Sequence, residues 1–338
     1  MNDQSEQKLQ RSAVQWVGDR ILGLSAAALT LTLASTVIGL FAQHHWVADI
    51  FTNLRMQQVI GLIGAGTALA IGRKWKWLAV ALVLLCVHLP WFATAFSSAS
   101  NDAESSQSEL VVMTANVLTS NTQHDEVLKQ INSADADVFA ILELGTPLHL
   151  RLEEELSSAY PHRVTLPQDG GNFGIGLYSR HSLSDIDSFS TNENTIKSIG
   201  ATVKTDSASY RIIATHPLPP MGQGGFQSRN EHMQILAQRV SKLRSENRDM
   251  PVIVMGDLNL TPWSPMFQKF ETDSGLTLAK HGNDIVPTWY TKPFFPFGLV
   301  LDHVLLSDDL RCVHREIGPD IGSDHRAVIV AIADKGTE

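Results

Sequence analysis

The stretch Gly256-Asp257-Leu258-Asn259 follows four apolar residues, Val252 to Met255, which are bounded on the other side by Pro251. A short apolar run between turn formers reads as a fully buried strand. The strand is expected to stop at Gly256, where the backbone turns freely. Asp257 and Asn259 are two residues apart, so they share one side if the chain stays extended. A carboxylate can take a proton or hold a cation, and an amide can donate to an anionic oxygen. Together at a strand end they suit metal or phosphate chemistry. The same residues also fit an ordinary Asx turn leaving a strand.

The rest of the chain separates the two readings, because polar residues recur at the ends of apolar strands. Asn116 closes the strand Glu109 to Asn116, and Glu143 follows the apolar residues Val138 to Leu142. His216 follows Tyr210 to Thr215, Asp302 stands at the start of Leu301 to Leu306, and Asp324-His325 precede the last strand, Ala327 to Ile332. In a two-sheet sandwich such ends can converge at one edge. The set holds carboxylates for a hard divalent cation, amides for phosphate oxygens and histidines for proton transfer. It lacks the His/Cys spacing of a zinc site, a G-x-S-x-G elbow and a P-loop.

The elements that must position these residues follow from periodicity. Helices are expected around Glu126–Ser133, Leu148–Ala159, Arg229–Leu243 and from Pro265, with a further strand at Gly174–Ser179. Gly222–Gly225 reads as a flexible loop, and Arg229 as a solvated arginine near a helix start. Thr288 to Leu299 holds five aromatics and two prolines, so it reads as a loop. Its aromatics either cap the sandwich edge or, through Phe294, Phe295 and Phe297, meet a bilayer with Lys292 facing an anionic headgroup.

The first hundred residues are different in kind. Ile21–Ala42, Met56–Gly72 and Trp77–Phe96 are uncharged runs of 22, 17 and 20 residues. Three such runs indicate a membrane region with three spans, the second weakened by Gln57 and Gln58. Lys8, Arg11 and Arg20 precede the first run, and Arg73, Lys74 and Lys76 lie between the second and third. The positive-inside rule makes both segments cytoplasmic and places everything after Phe96 outside the cytoplasm. This predicts a multi-pass protein of the bacterial cytoplasmic membrane. Residues 97–108 are small and polar and read as a tether to a domain spanning 109–334. Residues 110–338 carry 19 basic and 28 acidic side chains, a net charge of -9. That balance disfavours nonspecific nucleic-acid binding. The two cysteines, Cys86 and Cys312, define no disulfide framework.

Residues from about 110 to 333 resemble the endonuclease/exonuclease/phosphatase superfamily. The ordered motifs are T-x-N at 114–116, I-L-E at 141–143 in the place of the family's L-x-E, H-P at 216–217, G-D-x-N at 256–259, D-H-V-L at 302–305 and S-D-H at 323–325. The N-terminal segments resemble a membrane-bound bacterial branch. The resemblance implies an α/β fold, a four-layer sandwich with two sheets face to face and helices outside. It implies a metal-dependent phosphoesterase using Mg²⁺, or Mn²⁺. By resemblance Glu143, Asn116 and Asp324 stand near the metal. Asp257 orients or deprotonates the attacking water, Asn259 lies beside the phosphate, and His216 lies on the leaving-group side. His325 faces the phosphate with Asp302 as its carboxylate partner. The implied partners are a phosphoester (lipid, nucleotide or nucleic acid) and the bilayer, with no obligate protein partner. A nuclease of the same fold and an inactive binding module are the competing readings.

Overall fold

The computed structural model describes residues 3–95, 110–190, 196–281, 285–291 and 297–335. Two compact units are present, Met1–Thr94 and Ala95–Glu338.

The first unit is helical, as its Ala- and Leu-rich uncharged runs dictate. It comprises α1 (Asp3–Gly39), α2 (Trp46–Asn53), α3 (Arg55–Ile71) and α4 (Trp75–His88), followed by a 3-10 turn at Leu89–Ala95. Pro90, which cannot donate to an α-helical ladder, falls in that turn. The imidazole of His45 caps α2 by accepting the Val47 N–H at 3.2 Å. Leu29, Leu62, Leu69, Ala81 and Leu84 pack between the helices. Leu24, Leu31 and Ile71 face outward at 71%, 69% and 80% exposure, an apolar surface that water does not favour. Gln15–Gly39 and Trp75–Phe92 are long and apolar enough to cross a bilayer, with mean hydropathies of 2.0 and 1.6. The middle run, Met56–Gly72, falls on α3, whose 17 residues do not count as a span alone. Helices α2 and α3 meet at 57°, and count as a third span only if the pair is one broken crossing. The expected tether, 97–108, lies outside the described residues.

The second unit holds two six-stranded mixed sheets with helices. In chain order it comprises β1 (Leu110–Asn116), α5 (His124–Ala134), β2 (Val138–Leu142), α6 (Thr146–Leu156), β3 (His162–Leu166), β4 (Ile175–Ser179), β5 (Ser182–Phe189) and β6 (Ser198–Lys204). It continues through β7 (Ser209–Thr215), α7 (Gly222–Glu246), β8 (Val252–Asp257), α8 (Pro265–Ser274), β9 (Thr277–Leu278), β10 (Asp302–Leu306), β11 (Leu310–Ile317) and β12 (Val328–Asp334). The strand orders are β11-β12-β1-β2-β4-β3 and β5-β6-β7-β8-β10-β9.

Strand alternation sorts the apolar residues into layers. Val112, Val138, Ala140, Ile212, Ile253, Met255 and Val330 form one core shared by both sheets. Met113, Phe139 and Ile141 face the opposite way, toward Val127 and Ile131 of α5 and Leu148 and Leu152 of α6. Ile213, Val252 and Val254 likewise meet Met233 and Leu236 of α7 and Phe267 of α8. Central strands covered on both faces must be apolar throughout, which is why they read as continuous runs.

Each sheet contains one parallel pair joined by a crossover helix: β1 with β2 through α5, and β7 with β8 through α7. Within each pair the C-terminal ends therefore lie side by side. Two expectations need correction. Gly222–Gly225 is not a loop but the first turn of α7. A side chain at Gly225 would lie 2.6 Å from the Pro219 carbonyl, so glycine lets the helix start against the preceding prolines. Strand β8 does not stop at Gly256 but runs through it to Asp257. Gly256 has φ +152°, and a Cβ there would lie 1.8 Å from the Thr215 carbonyl oxygen. Its role is close approach of β8 to β7.

Candidate active site

The parallel pair β1/β2 delivers Asn116 at the last residue of β1 and Glu143 just past β2. The pair β7/β8 delivers His216 just past β7 and Asp257 at the last residue of β8. Strand β10 runs antiparallel to β8, and its first residue, Asp302, is the register partner of Asp257. Strand β12 runs antiparallel to β1, so the segment 323–325 that precedes it arrives at the same edge.

These ends converge on one atom. Oδ2 of Asp257 accepts a hydrogen bond from Asn116 Nδ2 at 3.2 Å. His216 Nε2 lies 3.4 Å from the same oxygen, and His325 Nε2 lies 3.6 Å from it. The other ring nitrogen of His325 is 2.8 Å from Asp302 Oδ2. Asn116 Nδ2 also donates to Glu143 Oε1 at 2.9 Å, so one amide bridges two carboxylates across the two sheets. His216 has its acidic neighbour in Asp257, while its Nδ1 has no hydrogen-bond partner among the described residues.

The chain does not stay extended from Asp257, the last residue of β8, to Asn259. Asn259 has φ +51°, and its N–H donates to Asp257 Oδ1 at 2.9 Å. The Asx turn and the functional pair are the same feature, since the turn is what aims both side chains. The Asn259 amide donates to the Pro217 carbonyl at 3.0 Å, tying β8 to the residue after His216. Glu143 also has positive φ, +58°. Such strained positions gather where surrounding structure fixes them, as functional sites do. Thr119 fixes this one: its N–H donates to Glu143 Oε2 and its hydroxyl to the Glu143 carbonyl, both at 3.2 Å.

Electrostatics follow from burial and proximity. Burial alone raises the pKa of Asp257, but the charge of His325, the hydrogen bond and charge of His216 and the Asn259 N–H together hold it below the usual carboxylate range. Burial lowers the pKa of His325, yet the charges of Asp302 and Asp257 outweigh it and lift the imidazole to about 10. His325 is therefore an imidazolium at neutral pH. Burial, with the nearby Asp257 charge, raises Asp302 despite the attraction of His325.

The oxygen-rich donor set fits a hard divalent ion. Glu143 is nearly buried at the lip, and Asp324 is half-buried. Asp257, Asp302 and His325 have donor atoms within 4.8 Å of one another, a grouping that Glu143 and Asp324 do not join. Within this buried trio Nδ1 of His325 is engaged by Asp302, while its Nε2 faces Asp257.

Sequence reasoning missed several supporting residues. Arg229 is not solvated but fully buried, and its Nη1 donates to the Asn259 carbonyl at 3.3 Å. Its place within the apolar spacing of Met233, Leu236 and Val240 was the available signal. Ser323 donates to the Asn116 carbonyl at 2.8 Å and accepts the His325 N–H at 3.0 Å. The ring of Phe173 lies 5.5 Å from that of His216. Within the aromatic stretch Tyr290 is buried and Phe297 exposed, whereas Lys292, Phe294 and Phe295 lie outside the described residues.

Two buried histidines behind the site give a stability prediction. Burial, with the charge of His216, lowers His232 to about 3, while Thr215 Oγ1 lies 2.7 Å from its Nε2. Burial lowers His303 to about 4. An unfolded histidine titrates near 6.5, so the unfolded chain binds more protons between that value and the folded pKa. Stability is then expected to fall as pH drops through this window. His232→Gln should lose less melting temperature than wild type between pH 7 and pH 5. Equal losses in the two proteins contradict the neutral buried state of His232.

Residues 113–325 match the profile of the Endonuclease/Exonuclease/phosphatase family. Solved structures share the fold at low identity. An endonuclease/exonuclease/phosphatase from Beutenbergia cavernae superposes with a TM-score of 0.54 at 18% identity, covering 68% of this chain and 72% of that one. TDP2 of D. rerio, complexed with a single strand DNA product, gives 0.54 at 16% identity, covering 66% and 98%. Sphingomyelinase C from Streptomyces griseocarneus gives 0.50 at 15% identity, covering 67% and 100%. No curated protein matches the chain.

Proposed function

The chain belongs to the endonuclease/exonuclease/phosphatase family, and from that premise we propose that it is a membrane-anchored, divalent-metal-dependent phosphoesterase whose catalytic unit lies outside the cytoplasm. The observation that carries the chemistry is the convergence of Asn116, His216 and His325 on one oxygen of Asp257.

Asp257 stays ionised, so it accepts a hydrogen from water and aims a lone pair of the water oxygen at phosphorus. A carboxylate held this low is a weak base at rest, so it orients the water first and takes its proton only as the water oxygen bonds to phosphorus and grows acidic. As the new oxygen–phosphorus bond forms, the bond to the leaving oxygen breaks, and His216 protonates that oxygen. The His325 imidazolium, kept charged by Asp302, offsets negative charge on the phosphoryl oxygens, and Asn259 donates beside it. Glu143 and Asp324, with Asn116 alongside, would hold the ion. A divalent ion there supplies Lewis-acid stabilisation of the same oxygens.

The nuclease reading has support in the likeness to TDP2 crystallised with DNA. Against it stands the net charge of -9 across residues 110–338, since nucleic-acid affinity rests on phosphate neutralisation by basic side chains. Membrane attachment rests on the two apolar helices, and orientation on Lys8, Arg11 and Arg20 ahead of the first uncharged run and on the basic residues at 73–76.

One experiment tests chemistry and placement together. Spheroplasts carrying the full chain are given membrane-impermeant phosphoesters: an oligonucleotide, a nucleotide, an inositol phosphate and a lysophospholipid, with Mg²⁺ or with chelator. The expectation is chelator-sensitive hydrolysis of a non-nucleic ester without lysis. Activity only after lysis overturns the orientation. Preference for the oligonucleotide favours the nuclease. No hydrolysis by purified protein overturns the enzyme reading.

A further inference from the structure

Asp324 differs from the other acidic residues of the site in being half-buried rather than sealed. A carboxylate at such a position has rotamer freedom, which an ion ligand must lose before it binds. The indole of Trp289 removes that freedom. Its Nε1 donates to Asp324 Oδ2 at 3.0 Å, and the next residue, Tyr290, donates its N–H to the Asp324 carbonyl at 3.0 Å. The backbone of Trp289 bridges to both His325 and Leu299.

The preceding residue anchors this segment. Thr288 is fully buried, and its hydroxyl accepts the N–H groups of Leu301 and Asp302 at 2.9 and 3.0 Å. Its carbonyl accepts the Arg326 N–H at 2.8 Å. Residues 288–290 therefore form a strap tying the start of β10 to the segment before β12.

We infer that Trp289 is a positioning residue for the divalent ion, acting through Asp324. This rests on the assignment of Asp324 as an ion ligand made above. An indole is a donor only, so it occupies one carboxylate oxygen and leaves the other free. It has two side-chain torsions, and the strap fixes its backbone on both sides. A phenyl ring fills similar space without the donor. The hydrogen bond, rather than the ring, thus sets which oxygen of Asp324 faces the ion. Groups that orient metal ligands in this way typically change metal affinity by about 10–100-fold when removed.

The test is a double-substitution cycle on the full chain in detergent. Mn²⁺ binding is measured by the paramagnetic resonance signal of the free ion, alongside melting temperature without metal. Trp289→Phe is expected to weaken Mn²⁺ binding by about tenfold in the wild-type background and by less than about twofold in an Asp324→Asn background. A purely packing role lowers melting temperature in both backgrounds and weakens Mn²⁺ equally in both, and that result overturns the inference. Unchanged Mn²⁺ binding in Trp289→Phe overturns it too. If Asp324→Asn itself leaves Mn²⁺ binding unchanged, the assignment of Asp324 fails, and the inference with it. Should Trp289→Phe not fold, the cycle is run with Trp289→His at pH 8, whose shorter ring keeps a donor at lesser reach. Equal effects of that substitution in both backgrounds overturn the inference as well.

Discussion

Replacing Asp257 with asparagine is expected to lower kcat by a factor on the order of 10³ while the protein stays folded. The substitution keeps size and shape, so the loss isolates charge and hydrogen-bond polarity. Three donors or potential donors surround Oδ2, and the Asn259 N–H addresses Oδ1. An amide offers one acceptor atom only. Whichever way it turns, its NH₂ group faces a donor: the Asn259 N–H on one side, or Asn116 and the two histidines on the other. The water then loses its acceptor, and His325 loses one of the charges that favour its protonated form. The check is steady-state turnover of the preferred ester, with circular dichroism and melting temperature as folding controls. Turnover within tenfold of wild type, in a folded variant, would falsify the placement of Asp257 at the reacting centre.

The second large effect is on stability. Gly256→Ala is expected to cost more than about 3 kcal/mol, which corresponds to roughly 6–12 °C in melting temperature for a unit of this size. The new methyl would sit 1.8 Å from the Thr215 oxygen and 3.0 Å from its carbonyl carbon. Both atoms are backbone, so no side chain can swing aside. At φ +152° the alanine is strained even without that contact. Relief requires β7 and β8 to separate at the end where His216 and Asp257 meet. Thermal unfolding of the purified variant reads the effect. A melting temperature within about 2 °C of wild type would mean that the two strands are not held this closely.

The central strands were legible because two covered faces force continuous apolar runs, as in Val138–Leu142 and Val252–Met255. Their polar ends were legible for the same reason: a charge beside five apolar residues stands out. The edge strand β5 and its neighbour β6 were not. In β5, Ser182–Phe189, Leu183 and Phe189 are partly buried and the rest largely polar, with a register shift between Ser184 and Asp187. Strand β6 is buried along most of its length but is built from Ser198, Ile199, Gly200, Ala201 and Thr202, which carry little hydrophobic signal. Gly200 is small because Arg211 and Asp187 crowd it, a contact between different strands that no local pattern announces. Arg229 was misread because an arginine suggests solvent, whereas one of its partners is the carbonyl of Asn259, thirty residues away.

The pairing of β1 with β12 sets Leu110 opposite Ile332 and Thr114 opposite Val328. The first strand of the catalytic unit is thus completed by the last. A chain emerging from the ribosome or a translocation channel exposes β1 long before its neighbour exists, and loop closure over so many residues is slow. His325 travels with that final segment. The candidate site consequently assembles only once this segment has been made, and a polypeptide lacking it presents an open sheet edge without an assembled centre.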